Sequence, residues 1–454
     1  MHYILLLLTL ITTTVQANDT LDTYITEGLK SNLALKQQDF ELQQSLQALR
    51  ESHGLFLPSI SIEARYSRAG DGRTIDIPIG DLINPVHQTL NQLLGQSAFP
   101  GNLPNEQIPL LRKKEHDTKL RLVQPLFQPK IYHNHNISKA RVNLQQAARD
   151  AFARKLIRDI KTAYYNHLKS VQLVALFNDT ENLLNENLRV SQKLVNADKA
   201  TAEVIYRAQA ELAELQQQQA SAQRDSVLSA AYFNFLLNRP QETSIQHINI
   251  PTTHITIPSL GDAQQSARSH RDEFQQLQNA IRASKHAIKL AQSNYFPTVN
   301  FVYDYGFEGE SNKFNSNNDY WMASVLLSWN LFDGFQKRAR TQQRKIAQQK
   351  LETQTDELTQ QIDLQVRRAY HNLIVARQTI EATIKRAESA RQSFHIIQRK
   401  YQEGLAPQIE YLDARNTCTR AEIQHLIATF DIHIHHANFE HAAARHPLKM
   451  ANKH

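Results

Sequence analysis

The side chains with the most evident capacity for chemistry are histidines near the end of the chain: His433, His435 and His436, with His441 and His446 beyond. Imidazole is a common zinc ligand, and a zinc site needs several ligands converging on one point. On a helix only His433 and His436 lie close to one face. No carboxylate or cysteine completes a set at regular spacing, so the run reads as helix surface. His133 and His135 form no stronger group. Glu410 and Asp413 are three residues apart and would share one helix face. The sole cysteine, Cys418, excludes an intrachain disulfide. The chain contains no nucleophile-elbow, zinc-protease, phosphate-loop or dinucleotide-binding signature, so nothing points to an enzyme or to a cofactor.

The elements that carry these residues are unusual. Tyr320 to Leu331 alternates Trp321, Ala323, Val325, Leu327, Trp329 and Leu331 with smaller or more polar side chains, the period of a strand. After Asp333-Gly334 the period changes. Phe335 to Glu403 contains no glycine or proline and consists mostly of strong helix formers. An unbroken helix of that length would extend roughly 100 Å, more than an ordinary globular domain can house.

The 454 residues carry a formal charge of +7. The basic residues are interleaved with Glu, Asp and Gln along helical segments, which indicates solvated faces and no nucleic-acid partner. The first seventeen residues have an apolar run from Tyr3 to Ile11 and end in Val15-Gln16-Ala17, a small-x-small pattern. This predicts a signal peptide over 1–17; the run is too short for a membrane anchor. No later run is long and apolar enough to span a bilayer as a helix.

The remainder reads as a duplication. A helix from Thr20 to His53 leads to a strand in which Ile60, Ile62, Ala64 and Tyr66 alternate with Ser61, Glu63, Arg65 and Ser67. A long loop over 68–116 follows, with a short helix around Val86 to Leu94, and it reads as a lid over the far end of the strands. A second strand through Lys119 to Leu122 precedes Lys130 to Arg239, which lacks glycine and proline and dips at Val195 to Asp198. After a connector over 240–261 the order repeats. There is a helix from Asp262 to Ser293, a strand through Val299 to Phe307, a loop, the strand and long helix already described, and a last helix from Pro407 to about Arg445. Leu57-Pro58 matches Phe296-Pro297, an offset of 239. Leu126-Phe127 matches Leu331-Phe332 at 205, and Ala163-Tyr164 matches Ala369-Tyr370 at 206. The expected organisation is a first repeat over 18–239, the connector, a second repeat over 262–446 and a tail over 447–454.

Each strand sets a row of Ile, Val, Phe, Tyr, Trp and Leu against a row of Ser, Asn, Asp, Glu and Arg. That is the signature of a membrane β-barrel, and Tyr66, Tyr295, Phe296, Trp321, Trp329 and Phe332 near strand ends suit interfacial girdles. Four strands cannot close a barrel, so copies of the chain must assemble. Two would fill the interior with side chains, and three would leave a pore. The helices are too polar for lipid and would project to one side, with seams such as Leu351, Leu358, Ile362 and Val366 for helix packing.

With both repeats in place, the chain resembles the TolC family of outer-membrane efflux channels over essentially its whole mature length. The resemblance rests on LP before the first strand, QPLF and WNLFDG at the second strand, AYYNHL and AYHNL in the long helices, and YQEGLAP followed by EYLDA. It implies an α+β membrane protein. Three chains would form a twelve-stranded transmembrane barrel continuous with a twelve-helix periplasmic α-barrel in the outer membrane and periplasm. It also implies a periplasmic adaptor and a proton-driven or ATP-driven inner-membrane transporter as partners. In that family acidic residues line the constricted periplasmic end. The match places Glu410 and Asp413 at the acidic positions and Tyr401 at a tyrosine that helps latch the closed state, with Gly404 and Asp198 at the tip turns. Glu stands here for the family's first Asp, Ala406 sits where a latching Arg would be expected, and the first repeat offers Glu203 and Val204 where an acid partner would lie. The competing reading is a coiled-coil stalk or adhesin without a conduit, which would not need the polar strand row of Ser61, Glu63, Arg65, Asn300 and Asp304.

Overall fold

The computed structural model describes residues 12–70, 72–248, 255–310 and 313–445. The apolar run of the expected signal, the whole of the tail and part of the connector lie outside the described residues. In chain order the elements are α1 (Thr12–Ser31), α2 (Leu33–Gly54), β1 (Ser59–Arg68), β2 (Thr74–Ile77), α3 (Ile79–Leu94), β3 (Glu106–Pro109) and β4 (Lys114–Phe127). They continue with α4 (Pro129–Asn196), α5 (Glu203–Leu236), α6 (Leu260–His270), α7 (Asp272–Gln292), β5 (Thr298–Gly309), β6 (Asp319–Ser328), α8 (Gln336–Gln402) and α9 (Gln408–Ala442). The chain divides into two units, one carrying the strands (49–137 and 286–344) and one helical. Among the described residues no helix is long and apolar enough to cross a membrane.

In the strand unit, four strands form an antiparallel sheet in the order β1-β4-β5-β6. The register aligns Ile62, Leu120, Tyr305 and Trp321 in one row and Ile60, Leu122, Tyr303 and Ala323 in another. Because side chains alternate in direction, these rows form one apolar face, and its large members are solvent-exposed in the single chain except for the half-buried Leu122. The opposite face carries Ser61, Arg121 and Asp304 in one row and Glu63, Lys119 and Tyr320 in the next. Gly306 belongs to this face because a Cβ there would lie 2.6 Å from Lys119 Cβ.

Four segments differ from the sequence expectation. The strand expected to run through Leu331 ends at Ser328. Its continuation is taken by a helix cap, in which Asp333 Oδ2 accepts from Lys337 N at 3.0 Å and the Lys337 ammonium donates to Asn330. The stretch over 68–116 is built rather than a simple loop: β2 pairs with β3, and α3 runs through Pro85. Proline is a helix-boundary signal, which is why the sequence places the start at Val86. Here Asn84 and Asn91 clamp the returning segment, each side chain exchanging two hydrogen bonds with one backbone amide and carbonyl, of Leu103 and Phe99. The helices expected over 20–53 and 262–293 are each divided. At the first break Asn32 donates to Leu236 O at 2.9 Å and accepts from Leu35 N. At the second, Arg271 donates to Ala442 O at 3.3 Å and pairs with Glu273.

The helical unit has three apolar clusters. In one, Ile160, Tyr164, Phe233 and Leu237 pack with Tyr24 and Leu35. In the second, Val366, Phe439 and Ala443 pack with Ala263 and Ala267, and Tyr370 closes on Phe439. The third joins Phe177, Leu184 and Leu215 to Tyr411 and Leu412 near the turns at 198 and 404. Both turns close alike. Asp198 (φ 59°) and Gly404 (φ 75°) adopt the left-handed conformation, while Lys199 N donates to Leu194 O and Leu405 N to Lys400 O. This is the Schellman termination, which glycine makes without strain and a short polar side chain tolerates.

Candidate functional site

The sequence-derived site residues all lie in the helical unit, around these two turns. Pro407, which has no amide proton to leave unpaired, precedes the first turn of α9. Glu410 and Asp413 stand exposed on the outer side of that turn, while Tyr411 and Leu412 between them turn inward and are buried. Tyr401 stacks on Tyr411 with ring centroids 4.8 Å apart, and Phe394 closes on Tyr411 at 5.6 Å. Burial raises the Tyr401 phenol above its ordinary pKa, partly offset by Ser191 and Asn187 facing the hydroxyl. The hydroxyl itself is buried without a hydrogen-bond partner among the described residues, so ring packing on Tyr411 seats the tyrosine. Glu203, in the first turn of α5, is exposed and paired with Arg207 at 2.7 Å. Counting 206 residues back, as from Gly404 to Asp198, Arg207 is the counterpart of Asp413 and Val204 that of Glu410.

Two further interactions in this region have no sequence signal. Gln408 Nε2 donates to Ser191 Oγ at 2.8 Å and to Val204 O at 3.1 Å, joining the start of α9 to α4 and α5. Arg415, two residues beyond Asp413 and turned inward, is only 4% exposed and pairs with Glu211 of α5 at 3.1 Å. Asn416 donates to the same Glu211 oxygen at 3.0 Å. Nε and Nη1 of Arg415 are buried with no hydrogen-bond partner among the described residues. Burial accordingly lowers the guanidinium pKa, and Glu211 opposes that shift. Gln408 and Arg415 are more than 200 residues from their partners, so no spacing rule reaches them.

The histidines are not a free helix surface. His433 stacks on Tyr165 of α4 at 5.0 Å, and burial lowers its pKa, like that of His441, to about 4. His446 lies outside the described residues.

In the strand unit the polar face of the sheet is a chain of ion pairs. Arg121 Nε and Nη2 donate to both oxygens of Asp304 at 2.8 and 2.9 Å, and its Nη1 meets Glu63 at 3.0 Å. Lys119 pairs with Asp117 at 2.8 Å, and the Tyr320 hydroxyl donates to Asp117 at 3.0 Å. All four strands are thereby cross-linked on one face, while the other stays apolar.

The sequence profile described as "Outer membrane efflux protein" matches residues 263–444. No curated protein matches the chain by sequence. Among solved structures, the Campylobacter jejuni CmeC outer membrane channel is 14% identical with a TM-score of 0.78, covering 93% of this chain and 85% of that one. The Vibrio cholerae outer membrane protein VceC is 16% identical with a TM-score of 0.75, covering 93% and 95%. The outer-membrane channel OprN is 17% identical with a TM-score of 0.75, covering 94% and 90%. At these identities the likeness is one of fold, and it extends over nearly the whole chain. The profile adds to this a sequence likeness to outer membrane efflux proteins over residues 263–444.

Proposed function

We propose that three copies of the chain close a twelve-stranded barrel in the outer membrane. This barrel and a twelve-helix periplasmic tunnel together form the passive exit duct of an efflux or type I secretion machine. The observation that carries this reading is the sheet. One face is apolar and exposed, the other is charge-paired, and among the described residues β1 and β6 each have an unpaired edge. In hydrocarbon each unpaired backbone group costs several kcal/mol, so β1 must pair with β6 of a copy. Phe127, Tyr295, Phe296, Trp329 and Phe332 are exposed at the helix-side ends of the strands and suit the lipid interface. Three chains leave a lumen lined by the polar face. A stalk without a conduit has no use for that face.

The reading extends to partners and to the two repeats. A periplasmic adaptor and an inner-membrane transporter, proton-driven or ATP-driven, would supply the cargo. Repeats over 18–239 and 262–446 are supported by equivalent details 206 residues apart. Tyr164 meets Phe233 as Tyr370 meets Phe439, and Leu236 O is held by Asn32 as Ala442 O is held by Arg271.

The tip around Asp198 and Gly404 would be the periplasmic mouth. Three copies of Glu410 and Asp413 would place six carboxylates around one axis, which attracts cations and disfavours anions. Tyr401 and Gln408 would hold that helix pair against α4 in the closed state. The test is conductance of the purified protein in a planar bilayer, with Glu410→Gln/Asp413→Asn alongside. The duct predicts channels in both and lower cation selectivity in the variant. No conductance in either refutes the duct, and unchanged selectivity refutes the acidic ring.

A further inference from the structure

His167 of α4 is buried, and its ring is engaged from two sides. On one side its Nδ1 lies 3.3 Å from Ser229 Oγ of α5. The Ser229 hydroxyl donates its own proton to Ser226 O at 2.9 Å, so it offers Nδ1 an acceptor and the imidazole proton resides on Nδ1. The lone pair is thereby left on Nε2. On the other side that Nε2 faces Nε2 of His247, in the connector, at 3.4 Å. The connector is fixed at this point. The Tyr164 hydroxyl donates to Gln246 O at 2.9 Å, and Gln246 N donates to the Tyr24 hydroxyl at 3.0 Å. The residue before His247 is thus pinned through both of its backbone polar groups. His247 itself is exposed, so an ion can reach the pair from solvent.

We infer that His167 and His247 bind a zinc ion between their Nε2 atoms, in a site that ties the connector to α4. The distances select the geometry. Two nitrogens bound at about 2.1 Å to a tetrahedral ion lie about 3.4 Å apart. Neighbouring positions of a square or octahedral ion would bring them to about 3.0 Å, and opposite positions to about 4.2 Å. The ring centroids, 5.4 Å apart, agree with the roughly 5.3 Å of the same tetrahedral arrangement. A direct N–H···N hydrogen bond is usually shorter, about 3.2 Å or less. Ser229 supplies what a ligating histidine needs behind the metal, an acceptor for the other ring N–H that fixes tautomer and ring plane. Among the described residues no set of three His, Cys, Asp or Glu converges on one point, so the two remaining positions fall to water or to an incoming ligand. Such a site is open, and its zinc exchanges with solution. Zinc would draw the connector onto α4 and α5, over the aromatic cluster of Tyr24, Tyr164 and Phe233. The site lies within the helical unit of one chain and does not depend on the duct reading.

The test is zinc uptake by full-length protein in detergent, stripped with chelator and then titrated with Zn²⁺ alone. The chain has 20 histidines, so the readout is the difference between variants. His247→Gln, which changes an exposed side chain, should take up one zinc fewer per chain than the parent. His435→Gln, in the histidine run of α9, should match the parent. Zinc should also raise the thermal midpoint of the parent and leave that of His247→Gln unmoved, because a ligand bound only by the folded state stabilises it. Mg²⁺, which takes oxygen ligands, should do neither. Equal zinc uptake by the parent and His247→Gln overturns the site and leaves the two rings in a plain hydrogen bond. A midpoint shift of the same size in both proteins or with Mg²⁺, or an equal loss of zinc in His435→Gln, overturns it as well.

Discussion

The pairing of Arg415 with Glu211 gives an asymmetric prediction. Arg415 is nearly inaccessible, whereas the Glu211 side chain keeps about a quarter of its exposure (4% and 26%). Removing the acid (Glu211→Ala) strands a buried guanidinium that already has two unpartnered nitrogens, and takes the acceptor from Asn416 as well. Breaking a buried pair from one side costs about 3 kcal/mol or more. Removing the base (Arg415→Met) leaves a carboxylate that water can reach and fills the site with a chain of similar length, at a cost of about 1 kcal/mol or less. The double variant should lie near the parent, because neither charge is then left alone. Every 1.4 kcal/mol is tenfold, so Glu211→Ala should raise local opening at the tip roughly 100-fold, with little change for the other two. Hydrogen exchange of α5 and α9 amides around residues 208–215 and 408–418 reads this directly. Equal effects of the two single variants, or a double variant as labile as Glu211→Ala, would refute the argument.

Three other outcomes are expected. Gln408→Ala removes two good hydrogen bonds between the start of α9 and the α4–α5 pair, at about 1 kcal/mol each, and should raise the open probability of bilayer channels several-fold; an unchanged value counts against the latch. The half-buried His433 and His441 have pKa values lowered from 6.5 to about 4, so the folded state resists a proton that the unfolded chain accepts. Their contribution is complete above about pH 6.5 and is lost as pH falls towards 4. Denaturant midpoints should drop over that window, and His433→Phe/His441→Phe should flatten the drop. Gly306→Val would force a Cβ to within 2.6 Å of Lys119 Cβ and 2.9 Å of its Cα, so the variant should yield less folded protein in membranes, while Gly54→Ala, which has open space, should not.

The strands and long helices were legible because each has one dominant period: two for the rows around Ile62 and Trp321, and a glycine-free and proline-free run for α4 and α8. What escaped the sequence depends on partners far away. The breaks at Asn32 and Arg271 carry no breaker residue, since each is fixed by a carbonyl about 200 or 170 positions distant. The strand ending at Ser328 continues in period through Leu331, and only the Asp333 cap and the Lys337–Asn330 bond show that the chain has turned. Pro85 pointed to a boundary that α3 ignores, because the Asn84 and Asn91 clamps outweigh one missing backbone bond. At the tip, Glu410, Asp413 and Tyr401 could be found by the resemblance. Gln408 and Arg415 could not, because a buried polar contact between distant segments leaves no mark on either.

The carbonyl clasps at Asn32 and Arg271 also set an order of events during folding. The helix that opens each half cannot be fastened until the last turn of that half's final helix exists. A chain delivered from its N-terminus therefore holds Tyr24, Ile25 and Leu35 without their cover until Phe233 and Leu236 arrive. The second half waits in the same way for Phe439 and Ala442, close to the end of the described chain. Contacts of such long sequence separation form slowly and leave apolar surface open meanwhile. Truncation after α8 would thus leave one half able to close and the other unfastened, and the length of time this chain depends on holding factors would be set by the arrival of its last helix.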